Sequence, residues 1–249
     1  MEENITTPPP LNTPEKKESK TTMTTPQAII IAGALIMVAI IITRPHVAST
    51  PPAPKTLSEQ VGVSKDDLNA CITSTDLDAR SKQIQASVDS AMSQLPAGQR
   101  GTPYTIVIGK NGVKTAIQGA DTYDLTKKVI DDAAQGIVAT PYTGNAALSE
   151  PTDHVQGNSN APVTIIEYSD FECPYCKAFQ PVLEKIMADE PGQVRWIYRS
   201  YPLHQHSFEE LVAADCVAKL KSDDAFWKYG NLLFGLQDQI NADTVSPQL

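Results

Sequence analysis

"APVTIIEYSDFECPYCKAFQPVLEKIMADE", residues 161–190, sets two cysteines three apart at the junction of two kinds of sequence. Before them "APVTIIEYS" is a short apolar run rich in β-branched residues, which predicts a strand. From Cys173 onward "CPYCKAFQPVLEKIMADE" predicts a helix that starts inside the motif. That spacing lets the sulfurs bond across a first helical turn, where free N–H groups and a partial positive charge favour a thiolate. Such sites lower a thiol pKa from about 8.5 into a range of roughly 3.5 to 7.5. The thiolate both attacks and leaves in disulfide exchange, so its stabilisation makes the bonded form a better oxidant. Zinc binding by the same pair would need two further ligands, for which only His204 and His206 in "PLHQH" lie nearby. A purely structural bridge would close a loop too short to restrain the unfolded chain much. Redox exchange uses both the spacing and the helix position.

Downstream, "GQVRWIYRSYP" predicts a second strand. Ser207 with Glu210 reads as a capping box opening a helix over "FEELVAADCVAKL", and "DAFWKYGNLLFGLQ" predicts another helix. Upstream, Ser64 is a candidate N-cap for "KDDLNACI", and a helix from about Asp76 puts Leu77, Ile84, Val88, Met92 and Leu95 on one face. "PYTIVIG", the turn "KNG" and "VKTAIQG" read as a hairpin, followed by an amphipathic helix over "YDLTKKVIDDAAQ". Residues 57–137 thus form one unit and 161–249 another. Residues 138–160 have the composition of a linker.

At the other end, residues 1–25 are rich in Thr, Pro, Lys and Glu and read as a disordered tail. "AIIIAGALIMVAIII", residues 28–42, carries no polar face, and residues 26–43 are about long enough to span a bilayer. Lys16, Lys17 and Lys20 precede it and Arg44 follows, so the tail is expected in the cytoplasm and all later residues outside it. The polar leader is too long for an ordinary cleaved signal peptide. Residues 44–56 form a Pro-rich spacer. A formal net charge of -9 argues against nucleic-acid binding. The four cysteines, Cys71, Cys173, Cys176 and Cys216, are an even number, which in an exported domain favours disulfides.

"NAPVTIIEYSDFECPYCKAFQPVLEKI", "VRWIYRSYPLHQHS" and "DAFWKYGNLLF" resemble the first half of DsbA-like thiol oxidoreductases of the thioredoxin superfamily. "GVSKDDLNAC" and "RGTPYTIVIGKNGVKTAIQGADTYDLTKKVID" resemble the second half. The resemblance implies an α/β thioredoxin fold with a helical insertion. It implies that Pro103 is a cis-proline against the cysteines, and that Thr102, Pro103, Pro174 and Tyr175 meet the substrate; an ordinary trans turn is the alternative. It implies that Glu167 lies buried under the pair and relays a proton to Cys176, whereas strand alternation alone leaves an outward-facing carboxylate open. Asp170 reads as a solvated loop or cap residue. Relatives that join cysteines of the helical subdomain imply a Cys71–Cys216 disulfide, against two buried free thiols. No metal and no cofactor is implied.

In that family the cysteine strand comes first and the cis-proline strand last; here the order is reversed. Circular permutation is the simplest expectation, with the old termini joined through 138–160 and new termini opened in the helical insertion. Halves exchanged between chains, or two unrelated small domains, are the other readings. The expected function is a membrane-anchored extracytoplasmic thiol–disulfide oxidoreductase. It would pass the Cys173–Cys176 disulfide to exported proteins with reduced cysteines and be reoxidised by a membrane quinone-linked thiol oxidase partner. A reductase or isomerase shares every motif, and a non-enzymatic tethered folding or metal-holding module is the remaining alternative.

Overall fold

Local signals account for most helix boundaries. In the computed structural model α1 spans Leu57–Gln60 behind the N-cap Thr56, and α2 spans Lys65–Ser74 with the Ser64 hydroxyl accepting from Asp67 N–H at 3.1 Å. The Asp76 carboxylate accepts from Ala79 N–H at 3.0 Å and opens α3, Leu77–Ala91. Ile84, Val88, Ala91 and Met92 are buried along one face of it, while Leu77, still in the first turn, is 46% exposed. β1 (Tyr104–Ile108) and β2 (Lys114–Gln118) follow as an antiparallel hairpin. α4 (Tyr123–Gln135) starts at the N-cap Thr122 and stops at Gly136, whose φ of 82° suits a residue without Cβ. Then come β3 (His154–Gly157), β4 (Val163–Ser169), α5 (Pro174–Asp189), β5 (Val194–Ser200), α6 (Ser207–Leu220) and α7 (Asp223–Leu236).

The structure describes residues 54–138 and 140–237. The tail expected at 1–25, the membrane helix expected at 26–43 and most of the spacer expected at 44–56 lie outside the described residues. Among the described residues no helix is long and apolar enough to cross a membrane.

The five strands form one mixed sheet in the order β2-β1-β4-β5-β3. β4 runs parallel to β5 and antiparallel to β1, and β3 lies antiparallel on β5. β4 reads as a continuous apolar run because helices cover both of its faces. Val163 and Ile165 join Phe179, Leu183 and Ile186 of α5 in one core cluster. Ile166 and Tyr168, pointing the other way by the period of two, join Ile84, Val88 and Ala91 of α3 in a second. Each fully buried isoleucine here contributes about 1.5–3 kcal/mol. α6 and α7 add a helical layer beside the first cluster, and α2 is bonded to α6 through Cys71–Cys216, with a Cα–Cα separation of 5.8 Å. This is a thioredoxin-like α/β fold with a helical insertion.

Two expectations are corrected. Residues 138–160, read as linker, contain the edge strand β3 and dock closely on the sheet. Tyr142 is buried, donating to the Ala91 carbonyl at 2.9 Å and accepting from Ala146 N–H at 2.8 Å. Arg199 on β5 holds Asp153 at 2.7 Å and Glu150 at 3.0 Å. A four-residue edge strand is created by its partner rather than by its own composition, so the local pattern carries little of it. The Ser207–Glu210 capping box does not form: the Ser207 hydroxyl donates to Asp170 at 2.6 Å, and the helix N-cap is His206, without a side-chain cap. The deeper acceptor, Asp170, takes the hydroxyl instead.

Candidate active site

α5 begins inside the cysteine motif. Cys173 is the N-cap and Pro174 occupies the first turn, where its missing N–H costs nothing because that group has no helical partner. Pro174 and Tyr175 are exposed, Tyr175 at 66%, while Cys173 and Cys176 are both buried free thiols. The two differ sharply in chemistry. The hydrogen bond from the Cys176 thiol pulls the Cys173 thiol down to about 5, aided by the Thr102 side chain and the amides of Cys176 and Tyr175, against the cost of burial. Burial pushes Cys176 strongly up, and the Cys173 thiolate and the Glu167 carboxylate push it further. This arrangement suits Cys173 to attack and leave as a thiolate while Cys176 keeps its proton.

The β1–β4 register brings the upstream half to this point. Tyr104 lies opposite Tyr168 and Thr105 opposite Glu167, so the segment before β1 reaches the end of β4 that leads to the cysteine loop. There the Thr102–Pro103 bond is cis, and the Cys173 sulfur lies 3.5 Å from the Thr102 carbonyl oxygen. Residues 71 apart in sequence thus share one site.

Glu167 projects from the same face of β4 as Val163 and Ile165, under the N-terminal turn of α5, and is fully buried. Its Oε2 accepts from the Trp196 indole at 3.0 Å, and Oε1 has no hydrogen-bond partner among the described residues. Burial pushes this carboxyl up to about 7, although the Trp196 N–H and the nearby Ser169 hydroxyl pull the other way. A carboxyl poised near neutrality beside a high-pKa thiol is suited to exchange a proton with it.

Asp170, expected to be solvated, is buried with no exposed side-chain surface. Oδ1 accepts from Glu172 N–H at 2.8 Å and the Ser207 hydroxyl; Oδ2 accepts from Leu203 N–H at 2.7 Å and His204 Nδ1 at 2.8 Å. The physical reason is that burial is offset by four donors, two of them delivered by the connection after β5. Trp196 was not singled out in the sequence, and neither was Gln237, whose amide donates to the carbonyls of Phe171 and Cys173. Their partners lie 29 to 66 residues away, so no local pattern announces them. Among the described residues no group of three or more His, Cys, Asp or Glu is arranged to hold a metal ion, and His204 is engaged with Asp170.

The family model described as thioredoxin matches residues 149–248. The chain is similar to the Na(+)/H(+) antiporter NhaA 3 of Salinispora tropica, 38% identical over 89 residues, which are 35% of this chain and 13% of that protein. It is also similar to disulfide bond formation protein D of Bacillus subtilis, 30% identical over 113 residues, 43% of this chain and 51% of that one. The chain therefore spans a small part of the antiporters it matches and about half of the disulfide-forming relative. Wolbachia pipientis alpha-DsbA1, a crystal structure, aligns at 24% identity with a TM-score of 0.36 over 40% of this chain and 50% of that chain. The thioredoxin match runs from β3 through α7 and takes in the Cys-x-x-Cys at the start of α5, in keeping with the thioredoxin-like fold of the mixed sheet.

Proposed function

We propose that the protein is a thiol–disulfide oxidoreductase that introduces disulfides into exported proteins through Cys173 and Cys176. The observation that carries this reading is the split between the two thiols: Cys173 is drawn down to about 5 at a helix N-terminus, while Cys176 is held protonated over a buried carboxyl. Stabilising the Cys173 thiolate stabilises the reduced pair, which makes the oxidised pair a strong acceptor of electrons. The name of the Bacillus subtilis relative, disulfide bond formation protein D, agrees with this direction.

In the oxidised protein a substrate thiolate attacks the Cys173 sulfur. The Cys173–Cys176 bond breaks, and Cys176 leaves with the electron pair and takes a proton from Glu167. A second substrate thiolate then attacks the substrate sulfur of the mixed disulfide and releases Cys173 as thiolate. The substrate dithiol has lost two electrons, and the cysteine pair has gained them. A membrane quinone-linked oxidase partner, on this reading, takes them away. Thr102 and Pro103, beside the reactive sulfur, and the exposed Pro174 and Tyr175 are the groups an extended substrate would meet.

We further read the chain as a circular permutation tethered by a membrane helix at 26–43, with the catalytic part outside the cytoplasm. Two things support permutation. The upstream β1–β2 hairpin is antiparallel to β4 within one sheet, and the docked segment 138–160 joins the two halves without leaving the domain. Measuring the reduction potential of Cys173–Cys176 tests the direction of flow: a value near about -120 mV supports an oxidase, and one near about -270 mV overturns it in favour of a reductase. The mass in solution tests the topology, since a swapped arrangement requires a dimer.

A further inference from the structure

Beside the cysteine motif stands a second set of polar groups that disulfide exchange, as described above, does not use. Asp170 joins the loop that carries Cys173 to the connection after β5. Its main-chain carbonyl accepts from Cys173 N–H at 3.1 Å, and its buried carboxylate holds His204 Nδ1 at 2.8 Å. A carboxylate can only accept, so Nδ1 donates, and the His204 side chain is left 43% exposed. The Ser207 hydroxyl on Oδ1 and the Leu203 amide on Oδ2 hold the same carboxylate, so the imidazole has a fixed support.

We propose that His204, oriented by Asp170, is a positioning residue that presents a positive charge to the Cys173 sulfur and so favours its thiolate form. The inference rests on the redox reading of Cys173. The groups facing this histidine are Asp170, Glu172 and Cys173 from the loop before α5, and both acids also face Glu210 on α6, beside Glu209. Partial burial works against the imidazolium, but the Asp170 bond and the charges of Asp170, Cys173 and Glu172 outweigh it and hold His204 above the ordinary histidine range. Charge interaction is reciprocal: if the thiolate favours the imidazolium, the imidazolium favours the thiolate. Without His204 the connection after β5 would lose the ring that Asp170 holds against the loop carrying Cys173. The benefit is present while His204 is protonated and is lost as pH rises through its raised pKa.

The test uses the reduced full chain and the variants His204→Gln and His204→Lys, read by ultraviolet thiolate absorbance against pH and by equilibrium with glutathione. Cys176 stays protonated and Cys71–Cys216 can be left intact, so the absorbance reports Cys173. His204→Gln should shift the thiolate titration upward and lower the oxidising equilibrium constant by about threefold to tenfold, tenfold being about 30 mV for a two-electron couple. His204→Lys should restore the constant to within about twofold and remove its decline between neutral and alkaline pH. A wild-type curve for the Gln variant, or a Lys variant that behaves like Gln, overturns the proposal. Urea midpoints of both variants separate this from loss of folding. A wild-type chain unable to oxidise or reduce any dithiol would instead remove the enzymatic reading, leaving the titration result to stand by itself.

Discussion

Glu167→Gln should make the protein more stable above neutral pH and leave it little changed in acid. Burial moves the Glu167 carboxyl from 4.5 to about 7. Between those limits the unfolded chain gives up its proton while the folded chain retains it, so folding stability falls as pH rises through this window and then levels off. A shift of about 2.5 units at about 1.36 kcal/mol each amounts to roughly 3 kcal/mol, and with the side chain fully buried no solvent screening reduces it. Glutamine does not titrate, and its side-chain oxygen can still accept from Trp196. The measurement is urea unfolding of wild type and variant from pH 4.5 to 8, both carrying Cys173→Ser and Cys176→Ser so that neither thiol titrates and Cys71–Cys216 stays bonded. Glu210, which burial pushes up to about 8, titrates alike in both proteins and cancels in the difference. That difference should climb by about 3 kcal/mol in favour of the variant. A flat difference across the range would mean that Glu167 is solvated or already neutralised, and the case for its proton relay would fail with it.

Three further perturbations bear on other parts of the site. Cys176→Ser should trap a mixed disulfide between Cys173 and a substrate cysteine, visible on non-reducing gels, whereas Cys173→Ser should trap none; equal trapping by both would reverse the assigned roles. Replacing Cys71 and Cys216 together by Ser should cost about 2–5 kcal/mol in urea unfolding, because the bond closes a 145-residue separation between α2 and α6, and a smaller change would mean that packing alone holds the two helices together. Asp170→Ala should cost about 3 kcal/mol or more by leaving the part-buried amides of Glu172 and Leu203 and the His204 ring without their acceptor, and should slow exchange by loosening the Cys173 loop; unchanged melting would show that water replaces the carboxylate.

The part of the site that is local in sequence was open to local reading. Cys173, Pro174 and Cys176 fall on one helical turn, and a helix N-terminus affects any thiol placed there, whatever the rest of the fold. Ser64, Asp76 and Thr122 cap their helices within three residues, so their side chains settle the boundaries unaided. Glu167 shows where this stops. β4 is covered on both faces, so alternation cannot separate an inward carboxylate from an outward one, and only the seating of α5 over the Val163–Ile165 face buries it. Ser207 shows the converse. Its capping signal was sound, yet a buried acceptor 37 residues earlier took the hydroxyl.

By itself, then, the sequence determined the chemistry available at Cys173 and Cys176, the helices that carry their own caps, and the strands dense enough in β-branched residues to announce themselves. The tertiary structure decided which groups meet that chemistry: Thr102 against the Cys173 sulfur, Glu167 under Cys176 with Trp196 as donor, and Asp170 between the cysteine loop and His204. The division has one physical cause. Helix signals act over three or four residues, while burial, and with it the pKa of a carboxyl or a thiol, depends on chain segments dozens of residues away that fold over the group.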